Sequence, residues 1–371
     1  MRILVDYRPA LRNRTGVGEY IHQLVQAYTK RHADTVSVFT SSWKDRPADE
    51  LASELGASVI DRRIPVRVLN LLWHRAAWPP AEMIAGPFDV VHAAHPLLIP
   101  ARHAAQVVTI HDLFFLAQPE ETRAEIRRDY PVLAAEHARR AHAVVTSTEY
   151  GRRLVSDQLG VDTERIYVCP PGAPTWHTLG HGPNVPRDGY ILFIGTLERR
   201  KNVGALLDAY ALLLKQPHPV PLLVLAGRST PDASVWLDRI SRPPLAGKVR
   251  HLGYIANADR ERVYAGARAL VMPSLDEGFG LPALEAMSAG VPVVASNRGS
   301  LPEVIGTAGT LVDPNDAEGL AAALQRVVSD ETFAADQARA GLARVRGLTW
   351  DRGAAVLGQA YRDAVARRQR Q

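Results

Sequence analysis

The chain is short of several things that would define other classes of protein. It has one cysteine, Cys169, which excludes an internal disulfide and any thiolate-cluster metal site and suits a reducing cytoplasm. No apolar run reaches the roughly 18 residues a membrane-spanning helix needs. The opening MRILVD is interrupted at Asp6, so it reads as a first strand, not the core of a secretory signal. There is no Asp-x-Asp pair, so metal-bridged diphosphate chemistry lacks its usual ligands and no metal site or cofactor is expected. No GxxxxGK[ST] loop is present, which argues against a phosphoryl-transfer engine. No nucleic-acid module is recognisable, although net charge is +5 and the pI is near 9.4. The excess charge is thinly spread, with a small cluster at Arg362, Arg367, Arg368 and Arg370, and favours anionic small molecules or a membrane surface over nucleic acid.

What is present is a βα rhythm. At 371 residues the chain suits two domains better than one core. Apolar strands are expected at 2–5, 36–40, 90–92, 107–110 and 143–146, then at 190–194, 222–226, 249–252, 269–272 and 293–295, with helix-period segments between them. Nearly all-apolar strands separated by helices indicate parallel sheets covered on both faces. The expected fold is therefore α/β, with two doubly wound, Rossmann-like domains facing across a cleft. Residues 170–187 carry Pro170, Pro171, Gly172, Pro174, Gly180, Gly182, Pro183 and Pro186, a density that breaks helices and strands alike. The expected division is a domain at 1–172, a linker at 173–187 and a second domain at 188–350. Residues 64–80, IPVRVLNLLWHRAAWPP, allow two readings. Either Val68, Leu71, Leu72 and Trp73 face the domain's own core, or Arg67, Arg75, Trp73 and Trp78 meet a membrane surface.

Two stretches could carry chemistry in the second half. In PSLDEGFGLPALEAMSAGVPVVAS (273–296), a strand runs into a loop with Glu277, Gly278, Phe279 and Gly280. A helix then starts near Leu281, with Pro282 in its first turn. Glycines allow close backbone approach, a helix start favours an anion, and a carboxylate can receive the hydroxyls of a vicinal diol. Glu285 is expected within the first helical turn and Glu277 on the loop before it. In GTLERRKN (195–202), Arg200 and Lys201 can neutralise a diphosphate, and Asn202 is a natural helix cap. In the first half, Arg14, Gly16 and Gly18 form a glycine turn in RTGVG, and His111–Asp112 in TIHD ends a strand where a sugar hydroxyl could be positioned.

These segments together resemble the family-4 retaining glycosyltransferases of the two-domain GT-B architecture. The strongest element is Glu277-x7-Glu285 in EGFGLPALEAMSAGVPVVAS. GTLERRKN, TIHDLFFLAQPE, RTGVGEY and VVTSTEYGRR are similar to segments of its mannosyltransferase-like members. The resemblance implies that Glu285 binds the donor ribose and that Glu277 lies against the donor sugar, with the Phe279–Leu281 amides near sugar and phosphate. It implies further that Arg200 and Lys201 hold the diphosphate, Gly16 approaches it, His111 contacts the transferred sugar and Ile255 meets the base. Where some relatives have Arg after the glycine of the phosphate motif, this chain has Thr196. The resemblance also places a final helix, 351–371, back on the first domain.

On this resemblance the chain is a cytoplasmic, metal-independent retaining glycosyltransferase. It would move a hexose, mannose from GDP-mannose by preference, onto a glycan or lipid-linked acceptor, and it would have a possible peripheral contact with the inner face of the membrane. A sugar-nucleotide epimerase on the same architecture, and a non-catalytic nucleotide-sugar binder, are the alternatives.

Overall fold

Thirteen parallel strands, in two sheets, organise the chain among the residues described. The computed structural model describes residues 1–11, 14, 16–117, 130–176 and 182–370. Thr15, the 118–120 end of the TIHDLFFLAQPE segment and Gly180 lie outside that set. The first sheet comprises β1 (Arg2–Asp6), β2 (Thr35–Ser41), β3 (Ser58–Arg62), β4 (Val90–Ala93), β5 (Ala105–Thr109), β6 (Ala143–Thr146) and β7 (Ile166–Val168). The second comprises β8 (Tyr190–Ile194), β9 (Leu223–Ala226), β10 (Val249–Gly253), β11 (Ala267–Met272), β12 (Val293–Ser296) and β13 (Thr310–Val312). Their orders are β3-β2-β1-β4-β5-β6-β7 and β10-β9-β8-β11-β12-β13. In each, the order reverses beside the unit's first strand, at β1/β4 and at β8/β11. Open α/β sheets bind ligands outside the carboxyl ends of the strands at such a reversal.

The chain divides into two compact units, residues 1–172 with 349–371, and residues 173–348. The proline- and glycine-rich stretch therefore belongs to the first unit up to Gly172 and to the second from Ala173 on, where it is described. Asn184 donates its backbone N–H to Gly290 O and its side-chain amide to the carbonyls of Tyr264 and Ala265.

Central strands are buried on both faces: β4, β6, β9, β11 and β12 have no exposed position. Helices cover them with one apolar stripe each. Val17–Arg31 buries Tyr20, Ile21, Leu24, Val25 and Tyr28, the spacing of one helical face. The helix Trp350–Gln369 buries Ala354, Leu357, Ala360, Tyr361 and Ala364 in the same core. Its Tyr361 hydroxyl bonds His92 Nδ1 at 2.7 Å.

The helix Val66–Ala76 fits the core reading at Trp73 and half-buried Leu72 but not at Val68 and Leu71. Leu69 and Trp73 are buried, while Val68, Leu71 and Trp78 are exposed. Trp73 donates its indole N–H to Pro79 O at 3.0 Å, under the Arg8 guanidinium 4.7 Å from its ring. No helix among the described residues is long and apolar enough to cross a membrane.

Four histidines of the first unit are held neutral by burial, with pKa values pushed down to about 4 for His74, His111 and His137 and about 3 for His92. In the unfolded chain they take protons near pH 6.5. Acidification below 6.5 thus favours unfolding until the folded pKa values are reached. The expected result is a melting temperature that falls from pH 6.5 towards pH 4 well before carboxylates protonate, read by calorimetry at half-unit steps.

Candidate functional site

The second unit concentrates charged side chains at its β8/β11 reversal. After β8, Gly195 leads into a short turn, Arg199–Lys201; after β11, residues 273–280 form the loop before the helix Leu281–Ser288. The two loops are tied by a backbone bond, Leu275 N–H to Arg200 O at 2.8 Å.

Glu277 stands at the centre. It is 5 % exposed, and its Oε1 receives Lys201 Nζ at 2.5 Å and the Ser274 hydroxyl at 2.8 Å. Arg200 lies 3.6 Å from its Oε2, donates to Asp276 O and also pairs with Glu198 at 3.1 Å. Burial alone would raise the Glu277 pKa, but Lys201 and then Arg200 overcome it and hold the carboxyl below its usual range. The carboxylate is thus ionised and pinned between the two cations. Gly299 closes the turn from behind: at φ +62°, a Cβ there would sit 2.6 Å from Glu277 N.

The helix Leu281–Ser288 begins at Gly280, whose φ of +94° suits glycine, with no side chain capping it. Pro282 carries no N–H and the Ala283 N–H donates to Gly280 O at 2.9 Å, so at this helix start it is the Leu281 amide, with no cap side chain competing, that suits an anion. Phe279 and Leu281 pack half-buried at the edge of the core, as does Ile255 beyond β10. Gly278 and Thr196 are half-buried in their loops.

Two local expectations need correcting. Glu285 is the fifth residue of its helix, beyond the first turn, because a turn takes about 3.6 residues from Leu281. Its Oε2 accepts from Arg260 at 2.5 Å and from the Tyr264 hydroxyl at 2.6 Å. Asn202 occupies the cap position before Val203–Leu213, but with φ 54° and no capping bond. Its amide instead donates to Pro314 O at 2.8 Å, because the left-handed backbone turns the side chain away from the helix.

The first unit carries the remaining candidates. His111 follows β5, half-buried, with Nε2 3.3 Å from Ala94 O and its ring edge-on to Tyr20 at 5.2 Å. Burial pushes its pKa down to about 4, so near neutral pH it offers a neutral imidazole. Asp112 accepts the Phe114 N–H at 3.2 Å. Gly16, at φ +50°, starts the helix Val17–Arg31 with open space where a Cβ would stand. Arg14 of the same loop reaches His22 and Glu54 at 3.2 and 2.8 Å.

The structure therefore brings Arg200, Lys201 and Glu277 into one cluster and gives Glu285 its own partners. Ser274, Arg260 and Tyr264 belong to these networks and went unread in the sequence. Only the i, i+4 spacing of Arg260 and Tyr264 places them on one helix face, which by itself names no partner.

Comparison with known proteins bears on this geometry. The chain is 31% identical over 377 residues to O-antigen chain mannosyltransferase B of Escherichia coli, covering 95% of this chain and 97% of that one. The profile described as Glycosyltransferase Family 4 matches residues 14–176, and Glycosyl transferases group 1 matches 182–344. The chain belongs to the family-4 glycosyltransferases. This glycosyltransferase is also 26% identical to D-inositol 3-phosphate glycosyltransferase of Thermobifida fusca, over 96% of this chain and 91% of that one. Among solved structures, sucrose-phosphate synthase from Thermosynechococcus elongatus superposes with a TM-score of 0.78 at 22% identity, covering 99% of both chains. Anabaena HepE in complex with UDP and glucose gives 0.72 at 19%, covering 97% and 98%. The glycosyltransferase has the GT-B fold.

Proposed function

We propose that this glycosyltransferase takes a hexose from a nucleoside-diphosphate sugar and transfers it, with retention, to a hydroxyl of a glycan or lipid-linked acceptor. The observation that carries the reading is the Arg200–Lys201 pair gathered on buried Glu277 beside an uncapped helix start. Two fixed cations and backbone amides suit a leaving diphosphate, and they stabilise its developing charge without a metal ion. The departing phosphate then assists attack by the acceptor on the face it leaves. Glu277 lies against the sugar and Glu285 receives the ribose diol; Thr196, Gly278, Gly280 and the Phe279–Leu281 amides line the donor, with Ile255 at the base. Gly16 and His111 are assigned to phosphate and sugar on the family resemblance. Mannose from GDP-mannose is the preferred donor; the Escherichia coli relative's name agrees as to the sugar.

The test is a panel of GDP-, UDP- and ADP-sugars with and without EDTA, with product anomers read by NMR. Transfer with inverted configuration, or turnover abolished by EDTA and restored by Mg²⁺, overturns the corresponding part. Conversion of donor without acceptor would favour an epimerase. Within this scheme, Glu285→Ala is expected to raise the donor KM about tenfold or more while changing kcat little, because it removes binding made equally in ground and transition states.

The exposed Val68, Leu71 and Trp78 stand among the exposed Arg62, Arg63, Arg67 and Arg75. We assign this face to an anionic membrane surface, with apolar side chains at the boundary and each arginine contributing about 1 kcal/mol of attraction. Sedimentation with phosphatidylglycerol vesicles should be strong for the wild type and abolished by Leu71→Asp with Trp78→Ser. Equal sedimentation of both proteins removes the assignment.

A further inference from the structure

Arg260 has no place in the scheme above, yet it is built into the second unit with care. It lies on the helix Asn257–Ala265, one turn before Tyr264, so both side chains point from one face. Both reach the same atom, Glu285 Oε2, at 2.5 and 2.6 Å. The Arg260 side chain is 15% exposed and that of Glu285 8%. Tyr264 is fully buried against Trp176, whose indole N–H donates to Glu285 O at 3.3 Å.

A largely buried ion pair is a poor device for stability alone, since desolvating both charges offsets most of their attraction. Packing does not require the charge either, because the Tyr264 hydroxyl already supplies a donor to Oε2. What the guanidinium adds is orientation and charge. A carboxyl covered by a ligand and lacking a cation is driven towards its neutral form. A neutral carboxyl is itself a donor and receives a diol poorly. Burial and the neighbouring Glu285 keep the Tyr264 phenol protonated far into the alkaline range, so it stays a donor.

The geometry points to Arg260 as a positioning residue that makes this nucleotide pocket demand a ribose diol, by holding Glu285 in one orientation as an acceptor-only carboxylate. The inference rests on the reading of Glu285 as the ribose ligand and extends it to specificity for ribo- over 2′-deoxyribonucleotides. Sites built to receive a hydroxyl reject the analogue lacking it, because the buried acceptor is left unpaired.

The experiment compares dissociation constants of GDP and 2′-deoxy-GDP, and of UDP and 2′-deoxy-UDP, for wild type, Arg260→Met and Arg260→Lys. The expected result is a ribo preference of about tenfold or more in the wild type, falling to near unity in Arg260→Met and largely recovered in Arg260→Lys. Donor KM should rise in Arg260→Met while kcat holds. An unchanged ribo preference in Arg260→Met, whatever its melting temperature, overturns the inference and leaves Arg260 a strut. Should Arg260→Met fail to fold, Arg260→Gln takes its place, since it keeps a polar side chain at that position and removes the charge and the planar fork. A reduced preference there supports the inference and an unchanged one overturns it. A wild type that binds none of the four nucleotides instead sinks the donor-pocket reading itself, and this inference with it.

Discussion

Lys201→Ala is expected to lower kcat by about 10²–10³-fold, the usual consequence of deleting one preorganised group that meets charge developing in the transition state. It should also destabilise the fold, and the two effects can be separated. In the wild type, Lys201 Nζ and Glu277 Oε1 are 2.5 Å apart, with 14% and 7% of their side chains exposed. Removing one partner of so buried a pair costs about 3–5 kcal/mol, much of it the penalty of the charge left behind. Arg200, 3.6 Å from the other oxygen, softens that penalty without replacing the short contact. Adding Glu277→Gln to Lys201→Ala removes the orphaned charge, so the double variant should melt above the single one. Turnover should not return, because the cation proposed for the diphosphate and the carboxylate proposed for the sugar are then both absent. A double variant that regained activity would show that Lys201 serves only to neutralise Glu277. Acid titration gives a second check. The Glu277 pKa is depressed in the folded state, so its contribution is present above the unfolded glutamate value and lost as pH falls through the folded one. Wild type and Glu277→Gln should converge in stability only at the acid end.

Gly227→Ala is expected to produce the largest loss of stability of any single methyl added to the second unit, about 4 kcal/mol or more. Gly227 follows β9 at φ +145°, and a Cβ built there lies 1.8 Å from Gly195 O and 2.5 Å from Gly195 C. Those atoms are backbone, so no rotamer change relieves the clash, and the residue's conformation disfavours a side chain in any case. The backbone that would have to move is the start of the Gly195–Lys201 segment, fixed on its other side by Gly195 N–H to Ala226 O and Gly227 N–H to Gly253 O. Chemical denaturation should show the lowered midpoint. Any protein that survives should bind nucleotide poorly, since Arg200 and Lys201 are carried by the displaced turn. Gly247, also at positive φ but with open space around it, is the control, and Gly247→Ala should cost far less.

The sequence made the buried middle of each sheet readable and its margins obscure. All ten expected strands exist, two with the expected bounds and the others with ends shifted by one or two residues. The three that escaped, β3, β7 and β13, are edge strands. An edge strand shares only one side with a neighbour and is half-exposed, so SVIDR, IYV and TLV carry no long apolar run to betray them. The same division holds for the site. Glu277, Arg200 and Lys201 could be picked out because loops at strand ends advertise themselves through glycine and charge. That Lys201 pairs with Glu277, 76 residues away, depends on β8 and β11 being neighbours, which no local pattern states. Arg260 carries no local sign of its pairing in NADRERVYA, because its partner lies 25 residues downstream. The core reading of residues 64–80 erred by a small rotation of one helix. Leu69 was passed over and Val68 and Leu71 placed inside, although periodicity alone allowed either stripe.

The helix Trp350–Gln369 ties the order of synthesis to the order of folding. Its Tyr361 closes on His92, 269 residues earlier, and Gly172 meets the backbone of Trp350 so closely that no side chain fits between them. The unit that begins the chain consequently waits for residues made after the whole of 173–348, whereas that intervening unit is continuous and can complete its own core first. A nascent chain stalled short of residue 350 would expose the apolar floor around Ile3, Val107 and Val145, a natural target for chaperones. Clipping the last turns of this helix would accordingly be felt as damage to the core of residues 1–172.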